Sequence, residues 1–426
     1  MSGALSGGAA RARPKAAVVL TGAELLDGRL RDANGTYLAA ELTRAGFGVD
    51  AIVVCPDDHA AIVAHLRHLL ARGAQAIVTS GGLGTTHDDV TMAAVADSLG
   101  LPLVEDQEAW VMVQERIQGV AERRHVDAAT LLEPARRQAL LPRGARLIPP
   151  AGLAPGALVD AGEATVVVLP GPPPELQAMW PAALIHLRER CSPVAPQVTV
   201  LRLYGVGEMQ VQPLLEPFIG EPSLDVAITA SLGEITVKAA AWDPAGRRRA
   251  AALREALAAA LPVYSAAGHT IDELLAKRLR AGGATVATAE SCTGGMLGGR
   301  LTSLAGSSDY FLGGVVSYAN SVKQDVLGVA GELLDQHGAV SEPVAAAMAQ
   351  GVRRITGATY GLSTTGVAGP GGGTPAKPVG LVYLACADAE GVVAERQLFP
   401  GDRDAVRLWT VVAALHLLRR RLETSS

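Results

Sequence analysis

A chain of 426 residues, 49% hydrophobic, is too long for one ordinary domain and holds enough apolar side chains for more than one core. A formal net charge of −5 and an aromatic content of 4% count against a basic or base-stacking surface for nucleic acid. No apolar run reaches membrane-spanning length, and the first 14 residues lack the apolar centre of a secretory signal and read as a tail. The 48 glycines and 25 prolines indicate a turn-rich α/β chain. The four cysteines (Cys55, Cys191, Cys292 and Cys386) form no CxxC pair, which excludes a zinc ribbon and a thioredoxin-type motif and fits a reduced, cytoplasmic compartment.

The first part alternates strand and helix. Residues 16–20 form a continuous apolar strand; Asn34 is placed to cap a helix carrying Leu38 and Leu42; residues 49–54 form the next strand and 59–70 the next helix. Residues 75–79 give a third strand, Asp88 is a candidate cap for a helix through Leu99, and 164–169 give a fourth strand. Continuous apolar strands between helices predict a parallel sheet covered on both faces. Loops 21–26, 80–89 and 170–175 each follow one of these strands, so a parallel sheet brings all three to its carboxyl edge, where open α/β sheets bind ligands.

Residues 191–196 read as a linker. A strand at 198–204, a helix at 208–218, strands at 225–229 and 234–241 and a helix at 247–260 then describe a small α+β domain. It carries no evident chemistry and no GxxG clamp, so its plain reading is a connector. Residues 262–270 read as a second linker. The last domain starts near Ile271 and ends in a helix from Asp402, on which Leu408, Val411, Leu415, Leu418 and Leu422 trace one apolar face.

In that last domain, a strand at 284–289 runs into Ser291-Cys292-Thr293-Gly294-Gly295, a hydroxyl- and glycine-rich turn opening a helix, which suits an anion. Gly306-Ser307-Ser308, Tyr318 and Lys323 follow. A hydroxyl nucleophile needs a base; a lysine kept neutral by burial serves, with a tyrosine as proton relay. Each residue has a plainer role as well: Ser291 as a helix cap, Tyr318 in a core, Lys323 in solvent, Cys292 as a small buried thiol. In the first domain, Gly81-Gly82-Leu83-Gly84 joins a glycine turn to Asp88 and Asp89, which suit a divalent metal, and Glu175 adds an oxygen. The Walker A pattern is absent.

In order, AESCTGG, GSSDYFLGGVVSYANSVK, GAVSEPVA, TGVAGPGGG, KPVG and GDRDAVR resemble the carboxyl-terminal domain of the CinA (competence/damage-inducible) family, which is similar to stand-alone nicotinamide mononucleotide deamidases. GAELLDGRLRDANGTYLA, SGGLGTTHDDVT and LPGPPPEL resemble the molybdopterin-binding fold of that family's amino-terminal domain, associated there with metal-dependent hydrolysis of ADP-ribose. The resemblance implies an α/β protein of three parts: a molybdopterin-binding-like parallel α/β domain (15–190), a small α+β connecting domain (197–264) and a CinA deamidase domain (268–424). It implies hydrolysis of nicotinamide mononucleotide to nicotinate mononucleotide and ammonia, without a cofactor, by Ser308 as first-choice nucleophile, Ser291 as second, Tyr318 as relay and Lys323 as base. Thr293, Gly294, Gly366, Gly369 and Arg403 are the expected substrate contacts, Arg403 taking the phosphate. In the first domain it implies that Asn34, Gly81, Gly82, Gly84 and Thr86 line an ADP-ribose site, with Asp88, Asp89 and Glu175 holding Mg, Mn or Co. The chain departs from the family pattern at Thr85, normally proline, and at 149–156, where an Asn-Pro is missing. The expected partners are these small nucleotides and a second copy in a homodimer, with no membrane or direct nucleic-acid contact. The alternative is a non-enzymatic competence or repair accessory; a pterin-handling role rests on the fold alone.

Overall fold

The computed structural model describes residues 13–424. The chain divides into two compact units, the break falling between Gln197 and Val198.

The first unit is built on a six-stranded sheet. Gly48–Cys55, Lys15–Thr21, Ala76–Ser80 and Ala164–Leu169 lie side by side, all parallel. Ala76–Ser80 and Ala164–Leu169 are buried at every position, which is why their sequences run apolar without alternation. Residues of His59–Ala71 and Thr91–Ser98 join the core on one face, and those of Asn34–Ala45 and Pro173–Cys191 the core on the other. Two strands absent from the sequence reading, Gly156–Ala161 and Arg146–Ile148, extend the sheet antiparallel. A tight turn with Gly162 at φ +61° folds the first of them back onto Ala164–Leu169, so the short GALVDA segment merges in sequence with the strand that follows. The unread stretch before them holds the helices Gln107–Arg124 and Ala129–Ala135 and a small antiparallel pair, Leu103–Glu105 with Leu140–Pro142.

Two expected caps are corrected. The helix after the glycine loop is Thr91–Ser98, with Val90 at its cap position and no side-chain cap, so Asp88 does not cap it. Asn34 is the first residue of its helix rather than the cap. Real caps in this unit are Asp58 and Asp106, whose carboxylates accept from the N–H of Ala61 and Ala109.

The second unit contains two sheets. The smaller has the order Leu224–Ser231, Glu234–Ala241, Gln197–Tyr204, Val263–Ser265, with the helices Glu208–Leu215 and Pro244–Ala260 supplying its core. Its last strand lies inside the stretch read as a linker. The larger sheet places Phe311–Val316, Val286–Glu290 and Tyr360–Gly366 parallel, then Leu381–Ala387 and Val392–Leu398 antiparallel. Ile271–Ala281 and Arg403–Thr424 contribute to the core on one face, and Glu342–Thr356 to the clusters on the other.

Arg403–Thr424 departs from the amphipathic expectation. Leu408 is 40% exposed, while every residue from Thr410 to Leu418 is buried, so no polar face exists over those turns. The smaller sheet accounts for this. Tyr204 stacks on His416 with ring centroids 3.7 Å apart, Tyr264 meets it edge-on, and His416 Nε2 lies 3.1 Å from Glu234 Oε1. Tyr264 also donates its hydroxyl to Glu234 at 2.7 Å. The two sheets therefore close over one helix.

The protonation of this buried group follows from its partners. Arg419 Nε donates to His416 Nδ1, so Nε2 carries the ring proton and donates to Glu234. Burial holds His416 below its ordinary 6.5, opposed by Glu234 and assisted by Arg419 and Arg420. Burial alone would raise Glu234, but hydrogen bonds from His416 and Tyr264 bring it below the usual glutamate value. A histidine with a depressed folded value loses stability as pH falls, beginning near 6.5 where the unfolded chain takes up its proton first. The melting temperature should therefore drop between about pH 7 and about pH 5, and less steeply in His416→Gln, whose amide still donates to Glu234 but does not titrate. Parallel profiles would remove His416 as the source.

Candidate active sites

In the second unit the parallel strands Val286–Glu290 and Phe311–Val316 end beside each other, Glu290 paired with Val316. Ser291, Ser317 and Tyr318 continue from these ends, at the carboxyl edge of the sheet. Ser291 N–H donates to Thr364 O and Ser317 N–H to Glu290 O, so both loops leave the sheet under main-chain control.

The turn after Val286–Glu290 is organised by a residue the sequence reading passed over. Glu290 is 2% exposed. Its Oε2 accepts from Gly295 N–H at 2.9 Å and Leu297 N–H at 3.0 Å, and its Oε1 from Gly298 N–H at 2.8 Å. The anion at the start of helix Met296–Leu301 is thus a carboxylate of the chain itself, which corrects the expectation that these N–H groups await a ligand. The alternation of a strand gave the signal: an acidic side chain ending an otherwise buried run needs donors, and a glycine turn supplies them. Gly294 and Gly295 take φ +59° and +96° in that turn.

Lys323, in the short helix Asn320–Asp325, is 1% exposed. Its Nζ donates to the carbonyls of Ser317 at 2.7 Å and Tyr318 at 3.2 Å and lies 3.3 Å from Ser291 Oγ. Among the described residues no carboxylate pairs with it. Burial pulls its pKa below the ordinary 10.5. As a neutral amine it has two N–H groups for the two carbonyls and a lone pair for the Ser291 proton.

The remaining predicted residues fall in different places. Ser308 is exposed, in a single 3-10 turn preceding Phe311–Val316, at the opposite end of that strand from Ser317, Tyr318 and Lys323. A six-residue strand spans roughly 20 Å, so within one chain Ser308 is out of hydrogen-bond reach of Lys323, and the expected Ser308–Lys323 pairing is not made there. Tyr318 is 63% exposed; its carbonyl accepts from Lys323, but its hydroxyl accepts from Arg403 Nη2 at 3.2 Å, so it does not bridge Lys323 to a serine. Arg403 Nη1 donates to Gly369 O at 2.8 Å, leaving the guanidinium over the loop that follows Tyr360–Gly366. Thr293 is fully buried, its hydroxyl 2.7 Å from that of Thr364. Arg407, not singled out in the sequence, donates to Thr293 O at 3.0 Å. Cys292 is buried and its thiol is pushed up to about 12, which keeps it protonated and unreactive.

In the first unit, loops at the carboxyl edge of the parallel strands enclose a cleft of about 410 Å³. Gly81, Gly82, Gly84, Thr86, Asp88, Asp89 and Glu175 line it; Asn34 and Thr85 do not. Asn34 instead ties two loops together, donating from Nδ2 to Ser80 Oγ at 3.0 Å and Gly171 O at 2.7 Å. Gly81 is required by crowding, since a Cβ there would lie 2.5 Å from Thr21 O. Asp89 Oδ2 accepts from both the N–H and the hydroxyl of Thr86, closing the loop on itself. Two further acids complete the lining: Glu24, and Asp57 from a fourth loop at the same edge, after Gly48–Cys55. Burial, helped by Glu24, Asp88 and Asp89, lifts Asp57 above the usual aspartate range, and burial lifts Glu175. The cleft has five carboxylates and no lysine or arginine on its wall. Among the described residues these acids do not gather three at a time as metal ligands.

The Glu290 cap carries its own test. Glu290→Gln keeps the shape but points an amide N–H₂ at backbone donors. It should cost about 2–3 kcal/mol in urea unfolding, and an unchanged midpoint would show that the turn stands without it.

The carboxyl-terminal residues 268–422 match the CinA C-terminal domain family, and residues 17–189 match a probable molybdopterin binding domain. The chain is 42% identical over 419 residues to a CinA-like protein of Mycolicibacterium vanbaalenii, spanning 96% of this chain and 98% of that protein. It is 39% identical over 419 residues to a putative competence-damage inducible protein of Desulforudis audaxviator, spanning 95% and 98%. A solved structure, the competence/damage inducible protein CihA from Agrobacterium tumefaciens, is 42% identical over 36% of this chain and 97% of its own, with a TM-score of 0.34. Identity at this level over almost the whole length, with both domain families matched in order, makes this chain a member of the CinA family.

Proposed function

We propose that the carboxyl-terminal site hydrolyses the carboxamide of nicotinamide mononucleotide, with Ser291 as nucleophile and Lys323 as its base. The observation that carries this reading is the buried Lys323 Nζ, 3.3 Å from Ser291 Oγ and without an acidic partner among the described residues. Lys323 takes the Ser291 proton as Oγ attacks the amide carbon. The tetrahedral intermediate collapses with cleavage of the C–N bond, and Lys323 returns the proton to the leaving nitrogen, releasing ammonia. Water, deprotonated by the same amine, then cleaves the ester on Ser291 to give the carboxylate. Glu290 takes up the N–H groups of Gly295, Leu297 and Gly298, so the donors for the oxyanion are those earlier in the turn. Arg403, exposed and half-satisfied by Gly369 and Tyr318, is the contact for the substrate phosphate.

Ser291→Ala and Lys323→Ala should each lower ammonia release by at least about 100-fold, while Ser308→Ala stays near wild type. Full activity in Lys323→Ala would remove the base, and loss in Ser308→Ala would return the first-choice nucleophile. Because the reacting form is the neutral amine, kcat/KM should fall as pH drops below the depressed Lys323 value, and Lys323→Arg, which cannot deprotonate, should be inactive.

A second reading, hydrolysis of the ADP-ribose pyrophosphate in the first unit, is favoured by the all-acid cleft. Five carboxylates repel a bare pyrophosphate and admit one that arrives with a divalent cation. The side chains alone do not assemble a metal cage, so no step is routed through a metal; Asp88, exposed on the cleft lining, is the acid on which the test rests. ADP-ribose should be cleaved with Mg, Mn or Co, and the reaction lost on chelation and in Asp88→Asn. Intact ADP-ribose with all three metals overturns this reading. Neither activity in the purified protein would leave the accessory role.

A further inference from the structure

We infer that the Leu232–Gly233 turn of the smaller sheet is a positioning element for the Ser291 pocket, acting through Trp409 on Arg403. The inference rests on the reading of Arg403 as the contact for the substrate phosphate.

Ser231 pairs with Glu234, so Leu232 and Gly233 form a two-residue hairpin turn. Their φ values are +51° and +78°. A turn with both residues left-handed normally carries Asn-Gly. A leucine in that conformation costs roughly 1 kcal/mol and persists only where the surroundings over-determine it. Those surroundings are the helix Arg403–Thr424. A Cβ on Gly233 would lie 2.7 Å from Trp409 Cζ3 and 3.4 Å from Tyr204 Cε2, so the turn backbone is in direct contact with the indole. The next residue, Glu234, is bonded to His416, seven residues on from Trp409 and on the same side of the helix. The turn thus grips the helix at two points.

From Trp409 the contact continues toward the pocket by two routes. The helix itself carries Trp409 back to Arg403, about 9 Å along its axis. Trp409 also stacks on Phe399 with ring centroids 5.7 Å apart. Phe399 donates its N–H to Gly380 O, and a Cβ on Gly380 would lie 2.2 Å from Phe399 O, so this strand end is held on both sides of its peptide. Gly380 in turn donates its N–H to Val367 O, two residues before Gly369, whose carbonyl holds the Arg403 guanidinium together with the Tyr318 hydroxyl. Ser291 follows the strand Val286–Glu290 and Lys323 lies in the helix Asn320–Asp325; Lys323 meets this path at the Tyr318 carbonyl, and Arg407 of the long helix donates to Thr293 O, two residues from Ser291. Arg403 is the only one of the three reacting or contacting side chains carried on the gripped helix itself, so a shift of the turn acts first on the phosphate contact.

The test compares two alanine substitutions in the full-length protein. Gly233→Ala places a methyl against Trp409. Gly220→Ala, at φ +82° with no atom within 4 Å of its Cβ, imposes the same kind of backbone strain beside the same sheet without the contact; Gly205 is unsuitable because its N–H donates to Gly233 O. Gly233→Ala should raise KM for nicotinamide mononucleotide at least about fivefold with kcat within about twofold, while Gly220→Ala leaves KM near wild type. Gly233→Ala combined with Trp409→Phe, whose smaller ring withdraws from the methyl, should recover most of the KM. Equal KM values in the two alanine variants, or no recovery in the double variant, overturn the inference and leave the deamidase reading standing. If Gly233→Ala does not accumulate folded, Trp409→Phe alone decides: a raised KM supports the inference and an unchanged KM overturns it. Absence of ammonia release by the wild type overturns both.

Discussion

A single buried carboxylate sets the geometry of the carboxyl-terminal site. Glu290 ends a strand whose other positions are apolar or hydroxyl, and it is buried with its charge against three main-chain N–H groups. Leaving such a group unsatisfied would cost several kcal/mol, so the turn has little freedom: it must bring Gly295, Leu297 and Gly298 back to the strand end. Two consecutive left-handed glycines are what the backbone needs to do so. Ser291 is the first residue released from the strand and the last before the constraint acts, which fixes its hydroxyl beside Lys323. The N-terminal charge of a helix, often left for a ligand, is here used to hold the Ser291 turn still.

Lys323 shows the complementary arrangement. The acid is buried because main-chain donors satisfy it; the base is buried among main-chain acceptors and is denied a counter-charge. Carbonyl oxygens orient the amine without stabilising its proton as a carboxylate would. The first unit has the opposite electrostatic character, a cleft walled by carboxylates, where burial, and after it repulsion from Glu24, Asp88 and Asp89, raises Asp57. The two sites therefore differ in charge, a lysine without a counter-ion among the described residues in one and five carboxylates in the other.

What the sequence disclosed follows the range of the interactions. The four parallel strands of the first unit and the strand-turn-helix at Ser291 were legible because continuous apolar runs and glycine turns are local features. The strands Gly156–Ala161 and Val263–Ser265 were not, since short segments gain their identity only from the neighbour they pair with. Among site residues, Lys323 and Ser291 were named, but that Ser291 and not Ser308 lies beside Lys323 within the chain was not legible, because sequence spacing does not say at which end of a strand a hydroxyl lies. Asp57 was overlooked because its loop has no glycine signature; only the strand order brings it to the cleft. Asn34 and Asp88 were both read as caps, and in each case a neighbouring constraint, loop tethering or a shifted helix start, took precedence.

The burial of residues 410–418 on all sides of the last helix has a consequence for how the chain can be divided. Trp409 and His416 face the smaller sheet, and without it an indole and a neutral imidazole would meet water beside a run of aliphatic side chains. The point where the two sheets can be named separately is thus not a point where this chain can be cut without exposing core. A homologous domain that exists alone has to present different side chains at the positions of Trp409 and His416, so those two positions record whether such a domain evolved with a neighbour or without one.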